Sequence, residues 1–161
     1  MNGRAEVMDN PAWANAAPAV SVLIPFLRDD PADLLGRLDS EAPVLDGAVE
    51  VVVLDDGTAD AGLTARLSQQ VSGMALPARL ITLPANEGRA RGRNRLASAA
   101  RGGSLLFLDS DMRPDQTGFL RIWADVVARR DPAGAFGGFS LLPAPRRPRF
   151  AVRRALGGEE V

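Results

Sequence analysis

The chain has 161 residues, of which 46% are hydrophobic, and a formal net charge of −1, which indicates one globular domain or part of a larger protein and argues against a nucleic-acid partner. It has no cysteine and no histidine, so disulfides, thiolate or imidazole metal ligands and Ser-His-Asp catalysis are excluded. All 19 basic side chains are arginines, which excludes a P-loop lysine and a Schiff-base lysine.

The first 18 residues are rich in Ala, Asn and Pro and show no periodicity, so we predict a mobile lead-in. Glu6 and Asp9 interrupt this stretch, which therefore lacks the apolar region of a signal peptide. No apolar run approaches the length of a bilayer span. We expect a cytoplasmic protein, with attachment to the inner face of the membrane only through portions outside this chain.

Four short apolar runs predict strands, at residues 20–25, 49–54, 80–83 and 105–108. The run at residues 105–108 is continuous, which is typical of a strand that is buried on both faces in a parallel sheet. Helical patterns separate or follow them, at residues 30–39, 60–71, 86–100 and 114–127. The alternation predicts an α/β fold, with a mostly parallel sheet, helices on both faces and right-handed crossovers.

The last part of the chain differs in composition from the rest. A further strand is predicted at residues 136–142, although Gly137 and Gly138 weaken it. From Pro143 onward prolines alternate with arginines, which predicts a linker, or the truncated start of a second half, at residues 143–161. The folded domain is expected at residues 19–142.

Acidic residues directly follow two of the predicted strands. Asp55 and Asp56 follow residues 49–54, and Asp109 and Asp111 follow residues 105–108. Because open α/β sheets bind ligands beyond the carboxyl ends of their strands, these carboxylates are candidates for a shared site. Two aspartates one residue apart suit a divalent cation. The alternative is that each aspartate is a chance occurrence that only caps a turn or a helix.

A nucleoside diphosphate fits acidic strand ends that are followed by arginines. A cation would bridge its phosphates to an aspartate pair, a carboxylate would accept a hydrogen bond from ribose or uracil, and arginine would neutralise phosphate. With only oxygen ligands available, Mn²⁺ or Mg²⁺ is the expected metal. The first strand is not followed by Gly-x-Gly-x-x-Gly or by any nearby glycine, which disfavours a dinucleotide dehydrogenase and a nucleotidyltransferase.

Four segments, in this order, resemble the family 2 glycosyltransferases of GT-A fold. They are Val-Ser-Val-Leu-Ile-Pro at residues 20–25, Val-Val-Val-Leu-Asp-Asp-Gly-Thr-Ala-Asp at 51–60, Asn-Glu-Gly-Arg-Ala-Arg-Gly-Arg-Asn at 86–94 and Leu-Phe-Leu-Asp-Ser-Asp at 106–111. The resemblance implies a nucleotide-sugar donor, with a UDP-sugar favoured, and transfer with inversion to the hydroxyl of a saccharide, lipid-linked or other acceptor. It also makes residues 19–142 the nucleotide-sugar-binding domain.

The resemblance assigns roles to the nucleotide contacts. Pro25 and Phe26 would line the nucleoside, and Asp55 would contact the uracil or the ribose. Asp56 lies in the same turn and is the weaker candidate. Arg93 matches the arginine of the family's Ala-Arg-Asn element and would lie near the base. The segment Phe-Leu-Arg at residues 26–28 departs from the short polar segment that is more common in the family.

The resemblance also implies the metal ligands and the position of the general base. Asp111 would bind the cation directly, and Asp109 would contact the ribose or support the metal. In the family the base lies downstream in the acceptor half, and Glu159 and Glu160 do not match that region. We therefore expect the donor-binding half of a longer enzyme, with no catalytic base in this chain. The alternative is a nucleotide- and metal-binding module without transfer activity.

Overall fold

A computed structural model of the chain describes residues 4–130 and 132–138. Residues 1–131 form one compact unit, and a second unit starts at Pro132. The described part of the second unit, residues 132–138, contains no helix or strand, so the strand predicted at residues 136–142 is absent over residues 136–138. Its remainder, the predicted linker at residues 143–161, and Glu159 and Glu160 lie outside the described residues.

Strands and helices alternate along the first unit, as the sequence predicts. In chain order the elements are β1 (Glu6–Asp9), β2 (Val20–Phe26), α1 (Ala32–Asp39), β3 (Val49–Asp55), α2 (Ala61–Gly73), β4 (Ala78–Thr82), α3 (Arg89–Ala99), β5 (Ser104–Phe107) and α4 (Phe119–Arg130). The four predicted strands of this unit and all four predicted helices are confirmed, with small shifts at their ends except in α4, which begins at Phe119 and not at Pro114. Across the described ranges, no helix has both the length and the apolar character that a membrane span requires.

The strands form one sheet in the order β1-β4-β3-β2-β5. Strands β2 to β5 are parallel, and β1 is antiparallel to β4. The register pairs Phe26 with Asp55, and Asp55 with Thr82, so the carboxyl ends of β2, β3 and β4 lie level with one another. We call this edge, together with the turns that follow its strands, the rim. The predicted α/β class with a mostly parallel sheet is confirmed.

Apolar side chains cover both faces of the central strands of the sheet, as parallel sheets require. On one face α1 and α2 pack against alternate residues of the strands, through a cluster that includes Leu34, Leu38, Leu67, Val71, Val22, Val51 and Val53. On the other face Leu96 of α3 packs with Leu23, Val52 and Leu54. Full burial of one such side chain contributes about 1.5–3 kcal/mol. The two layers fix the strands that carry the rim.

The N-terminal segment is ordered by contacts with distant residues. Val7 in β1 pairs with Ile81, and Trp13 is buried with an exposed fraction of 6%. Asn10 is also buried, and its side-chain amide donates to the carbonyls of Met74 and Leu76. The prediction that residues 1–18 form a mobile lead-in is therefore wrong for residues 6–13, because tertiary pairing supplies the order that the local pattern lacks.

Strand β5 is not buried on both faces, contrary to the prediction. Leu105 and Phe107 are 43% and 37% exposed, whereas Leu106 packs partly against the core. The reason is position, since β5 is the last strand of the sheet within the described residues and pairs only with β2 there. Its apolar run therefore has one covered face and one open face.

Candidate functional site

The two acidic turns lie at the same edge of the sheet. β2 separates β3 from β5, and Asp55, the last residue of β3, pairs with Phe26 at the end of β2. On the other side of β2, the backbone N–H of Leu108 donates to the carbonyl of Leu23. Asp109 therefore follows directly at the rim. The structure places the Asp55 turn (residues 55–58) and the Asp109 turn (residues 109–111) on either side of β2.

The loop after β2 contacts both turns. The backbone N–H of Arg28 donates to Thr58 Oγ1 at 2.9 Å, and Ser110 Oγ lies 3.4 Å from Asp29 Oδ2 as a long hydrogen bond. Thr58 and Ser110 were not among the residues expected at the site from the sequence. Their position within the acidic turns was the available signal, since hydroxyl side chains readily bond to nearby backbone.

Asp55 presents one carboxylate oxygen to the protein. Oδ1 accepts a hydrogen bond from the backbone N–H of Thr58 at 2.8 Å, and no donor within the described residues bonds to Oδ2. The side chain is 2% exposed, so only a ligand group that reaches down to the sheet edge could contact it. A planar N–H or a hydroxyl would match the remaining acceptor capacity of this carboxylate.

Both carboxylate oxygens of Asp56 accept hydrogen bonds from the protein. Oδ1 accepts from the backbone N–H of Glu87 at 2.8 Å, and Oδ2 accepts from the backbone N–H of Gly88 at 3.1 Å and the amide of Asn86 at 3.2 Å. The side chain is buried. Asp56 therefore fixes the loop at residues 86–88 that leads into α3.

Replacing Asp56 with alanine should lower the free energy of unfolding by about 2 kcal/mol, because buried N–H donors would lose their charged acceptor. Urea unfolding of the two proteins measures this difference. Asp56→Asn is the matched control, since it keeps an acceptor oxygen and should lose less. A loss for Asp56→Ala no larger than that for Asp56→Asn would contradict the structural role.

Arg95 and Glu87 reinforce the same loop. Arg95 Nε and Nη2 donate to the two oxygens of Glu87 at 2.6 and 2.7 Å. The hydrogen bond from Arg95 holds the pKa of the Glu87 carboxyl below its ordinary value. For a lowered carboxyl pKa, the stabilisation is present above the ordinary pKa and is lost as the pH falls through the lowered pKa. The pair therefore supports the loop at neutral pH.

The resemblance placed both Pro25 and Phe26 beside a nucleoside, but in the structure their side chains point in opposite directions. The ring of Phe26 is 3% exposed and packs in the core on the α1 and α2 side of the sheet. Only its backbone serves the rim, since its carbonyl accepts from the N–H of Asp56 at 2.9 Å. The expectation that the Phe26 side chain lines a ligand is not met. Pro25 is partly exposed and points away from Phe26, as alternation in a strand requires.

Arg93 lies beside the Asp109 turn. Its Nη2 donates to Asp109 Oδ1 at 2.9 Å, and its guanidinium lies 5.2 Å from the centroid of the Phe107 ring. Arg89 Nη2 lies 3.8 Å from Asp109 Oδ2. Arg93 Nε is buried and has no hydrogen-bond partner within the described residues. Two arginines of α3 thus offset the charge of Asp109, and Arg93 is close to the expected metal ligands.

The carboxylates of Asp109 and Asp111 fit a divalent cation only in part. Within the described residues, no three acidic or other metal-ligating side chains come close enough to hold an ion by themselves. Asp111 is exposed, and both side chains offer only oxygen. Mg²⁺ is commonly held by one or two carboxylates together with substrate phosphates. The donor set therefore fits a cation whose coordination a diphosphate completes.

Comparison of the sequence with known proteins gives a family and its relatives. Residues 21–141 match the model of the family described as glycosyl transferase family 2. Glucosyl-3-phosphoglycerate synthase of Mycolicibacterium paratuberculosis is 30% identical over 120 residues, 65% of this chain and 34% of that protein. The Mycobacterium tuberculosis protein of the same name is 29% identical over 107 residues, 62% of this chain and 31% of that protein. The chain thus spans about a third of the length of these curated relatives.

Solved structures show the same fold. The mannosyltransferase PcManGT from Pyrobaculum calidifontis, in complex with GDP-Man and Mn²⁺, has a TM-score of 0.54 at 20% identity and covers 78% of this chain and 35% of that chain. Residues 1–349 of TarS from S. aureus, in complex with UDP-GlcNAc, have a TM-score of 0.56 at 22% identity and cover 77% and 37%. The sheet and helices of this chain are accordingly those of the GT-A fold. Because the family match extends over most of its length, the chain belongs to glycosyl transferase family 2.

Proposed function

We propose that this chain is the donor-binding part of a glycosyltransferase and that it binds a nucleotide-sugar at the rim. The observation that carries the proposal is the placement of the Asp55 turn and the Asp109 turn on either side of β2. One turn offers a buried carboxylate acceptor, and the other offers a pair of carboxylates for a cation. A nucleoside diphosphate has a hydrogen-bonding end and an anionic end, and it would occupy both turns at once.

The nucleoside would lie against the Asp55 turn. Asp55 Oδ2 would accept a hydrogen bond from the imide N–H of uracil or from a ribose hydroxyl. Pro25, partly exposed at the end of β2, would flank the nucleoside. A UDP-sugar is our preferred donor, and a GDP-sugar is the alternative, since PcManGT was solved with GDP-Man and TarS with UDP-GlcNAc.

The diphosphate would lie toward the Asp109 turn. Asp111 would bind a divalent cation directly, and Asp109 would bind it or contact the ribose. Mn²⁺ or Mg²⁺ is the proposed ion, and the PcManGT complex contains Mn²⁺. When bound, such an ion would offset the negative charge that builds up on the leaving diphosphate. Arg89 and Arg93, which neutralise Asp109 in this structure, would add positive charge beside the phosphates.

The acceptor and the transferred sugar are proposed from the relatives. Two of them are named as synthases of glucosyl-3-phosphoglycerate, which makes glucose the first sugar, and 3-phosphoglycerate the first acceptor, to assay with this protein. A saccharide or lipid-linked hydroxyl acceptor remains the wider class. Inversion at the anomeric carbon stays a prediction, and the anomeric configuration of any product tests it.

Replacing Asp111 with alanine should abolish the metal-dependent part of UDP binding. For the wild-type chain, we expect Mn²⁺ to tighten the Kd for UDP by at least about tenfold, which corresponds to about 1.4 kcal/mol. Isothermal titration of each protein with UDP, with and without Mn²⁺, measures the effect. Asp115→Ala removes another exposed carboxylate four positions further along the chain and should behave as wild type.

If Asp111→Ala kept the full effect of Mn²⁺ on UDP affinity, the metal assignment would be wrong.

A second candidate function is a module that binds nucleotide and metal without transferring sugar. A turnover assay with UDP-glucose separates the two candidates, because transfer requires a group that deprotonates the acceptor, whereas binding does not.

A further inference from the structure

Arg28 has a backbone conformation that an arginine rarely adopts. Its φ is +61°, in the left-handed region that glycine, asparagine and aspartate occupy most readily. The other non-glycine residues with positive φ in the described part of the chain are Asp46 and Ala59, and Ala59 directly follows the Asp55 turn. Strained backbone of this kind tends to cluster at functional sites. An arginine where asparagine would fit better invites a functional explanation.

The position of Arg28 suggests what its side chain serves. The N–H of Arg28 bonds to Thr58 Oγ1, and the N–H of Thr58 bonds to Asp55 Oδ1. The next residue, Asp29, contacts Ser110 between the two carboxylates of the Asp109 turn. Arg28 therefore lies between the turn proposed to hold the nucleoside and the turn proposed to hold the cation. The diphosphate of a bound donor would cross this interval.

The positive charge of Arg28 is not paired with an acidic side chain of the described residues. Other arginines near the rim are paired, Arg93 and Arg89 with Asp109 and Arg66 with Asp30. Arg28 is exposed and forms no ion pair with any residue that the structure describes. A guanidinium is planar and presents several N–H donors, which suits two phosphate oxygens at once.

We propose that Arg28 contacts the diphosphate of the donor and so determines the affinity of the chain for nucleoside diphosphates over nucleosides. This inference rests on the proposed function, because it needs a nucleotide at the rim. In addition to the two arginines of α3, the loop after β2 would then supply a positive charge to the phosphates. The contact would come from the protein itself and would complement the divalent cation on the same phosphates.

The test compares Arg28→Asn with the wild-type chain, using uridine, UMP and UDP as ligands in the presence of Mn²⁺. Asparagine removes the charge but tolerates positive φ, so the variant should be at least as stable as wild type to thermal unfolding. We expect UDP affinity to fall by about tenfold or more, UMP affinity to fall less, and uridine affinity to stay unchanged. Arg28→Lys should retain part of the UDP affinity. Arg129→Asn, which removes another exposed charge, from α4, should match wild type.

Two results would overturn the inference and leave the proposed function standing. One is UDP affinity of Arg28→Asn that equals that of wild type. The other is an equal loss for uridine and UDP, which would mean that the substitution disturbs the nucleoside contact or the turn. Failure of the wild-type chain to bind either UDP or GDP would overturn the inference together with the proposed function.

Discussion

Replacing Gly57 with alanine should lower the free energy of unfolding by about 3 kcal/mol or more. Gly57 has a φ of +81°, which L side chains rarely adopt, and an added Cβ would lie 2.3 Å from the carbonyl carbon of Ala85 and 2.4 Å from the backbone nitrogen of Asn86. These neighbours are backbone atoms of the β4–α3 loop, so no side chain can rotate away. The methyl group would force the Asp55 turn and this loop apart.

The same substitution should also weaken UDP binding, since Gly57 lies between Asp56 and Thr58 in the turn proposed to hold the nucleoside. Chemical unfolding and UDP titration measure the two effects. Gly73→Ala is the control, because Gly73 ends α2 and a Cβ added there would meet no described atom within 4 Å, and alanine is favoured over glycine in helices. If Gly57→Ala unfolded at the same urea concentration as wild type, the close approach of the two loops would be refuted.

The strands of the core could be predicted from the sequence because a local pattern of apolar residues is enough to indicate their burial. Residues 20–26 and 49–55 are mostly apolar, with Ser21, Glu50 and Asp55 as the polar residues, and the structure buries nearly all of them. The order of β1 and of Trp13 could not be predicted in this way. It depends on pairing with β4 and on hydrogen bonds from Asn10 to Met74 and Leu76, and no pattern within the first 18 residues records these distant partners.

The location of the site could be predicted, whereas the division of roles within it could not. That Asp55 and Asp109 share an edge follows from the rule that parallel strands end together. Neighbouring residues Asp55 and Asp56 nevertheless face different partners, because the β4–α3 loop supplies the donors that occupy Asp56. In the same way, Arg93 bonds to Asp109 because α3 packs across β2, next to β5.

An ion pair between a buried glutamate and a partly exposed arginine, at the edge opposite the rim, could not be predicted from the sequence either. Glu50, near the start of β3, is fully buried and accepts hydrogen bonds from Ser21 Oγ at 2.6 Å and from Arg101 Nε at 2.8 Å. Arg101 also donates to the carbonyl of Trp13 at 2.8 Å and lies 3.7 Å from the centroid of its ring. One arginine thus neutralises a buried carboxylate and holds the N-terminal segment against the sheet.

Replacing Arg101 with alanine should lower the free energy of unfolding by about 3–5 kcal/mol, because it leaves the charge of Glu50 buried without its partner. Adding Glu50→Gln should recover part of the loss, so the double variant should be more stable than the sum of the single effects implies. Arg37→Ala, which removes an exposed ion pair with Asp33, is the control and should change stability little. Urea unfolding of wild type, the two single variants, the double variant and the control measures these differences. A loss for Arg101→Ala as small as that for Arg37→Ala would contradict the argument.

Because Glu50 lies at the edge away from the rim, UDP affinity of the folded variants should stay near that of wild type, which separates this stabilising pair from the donor site.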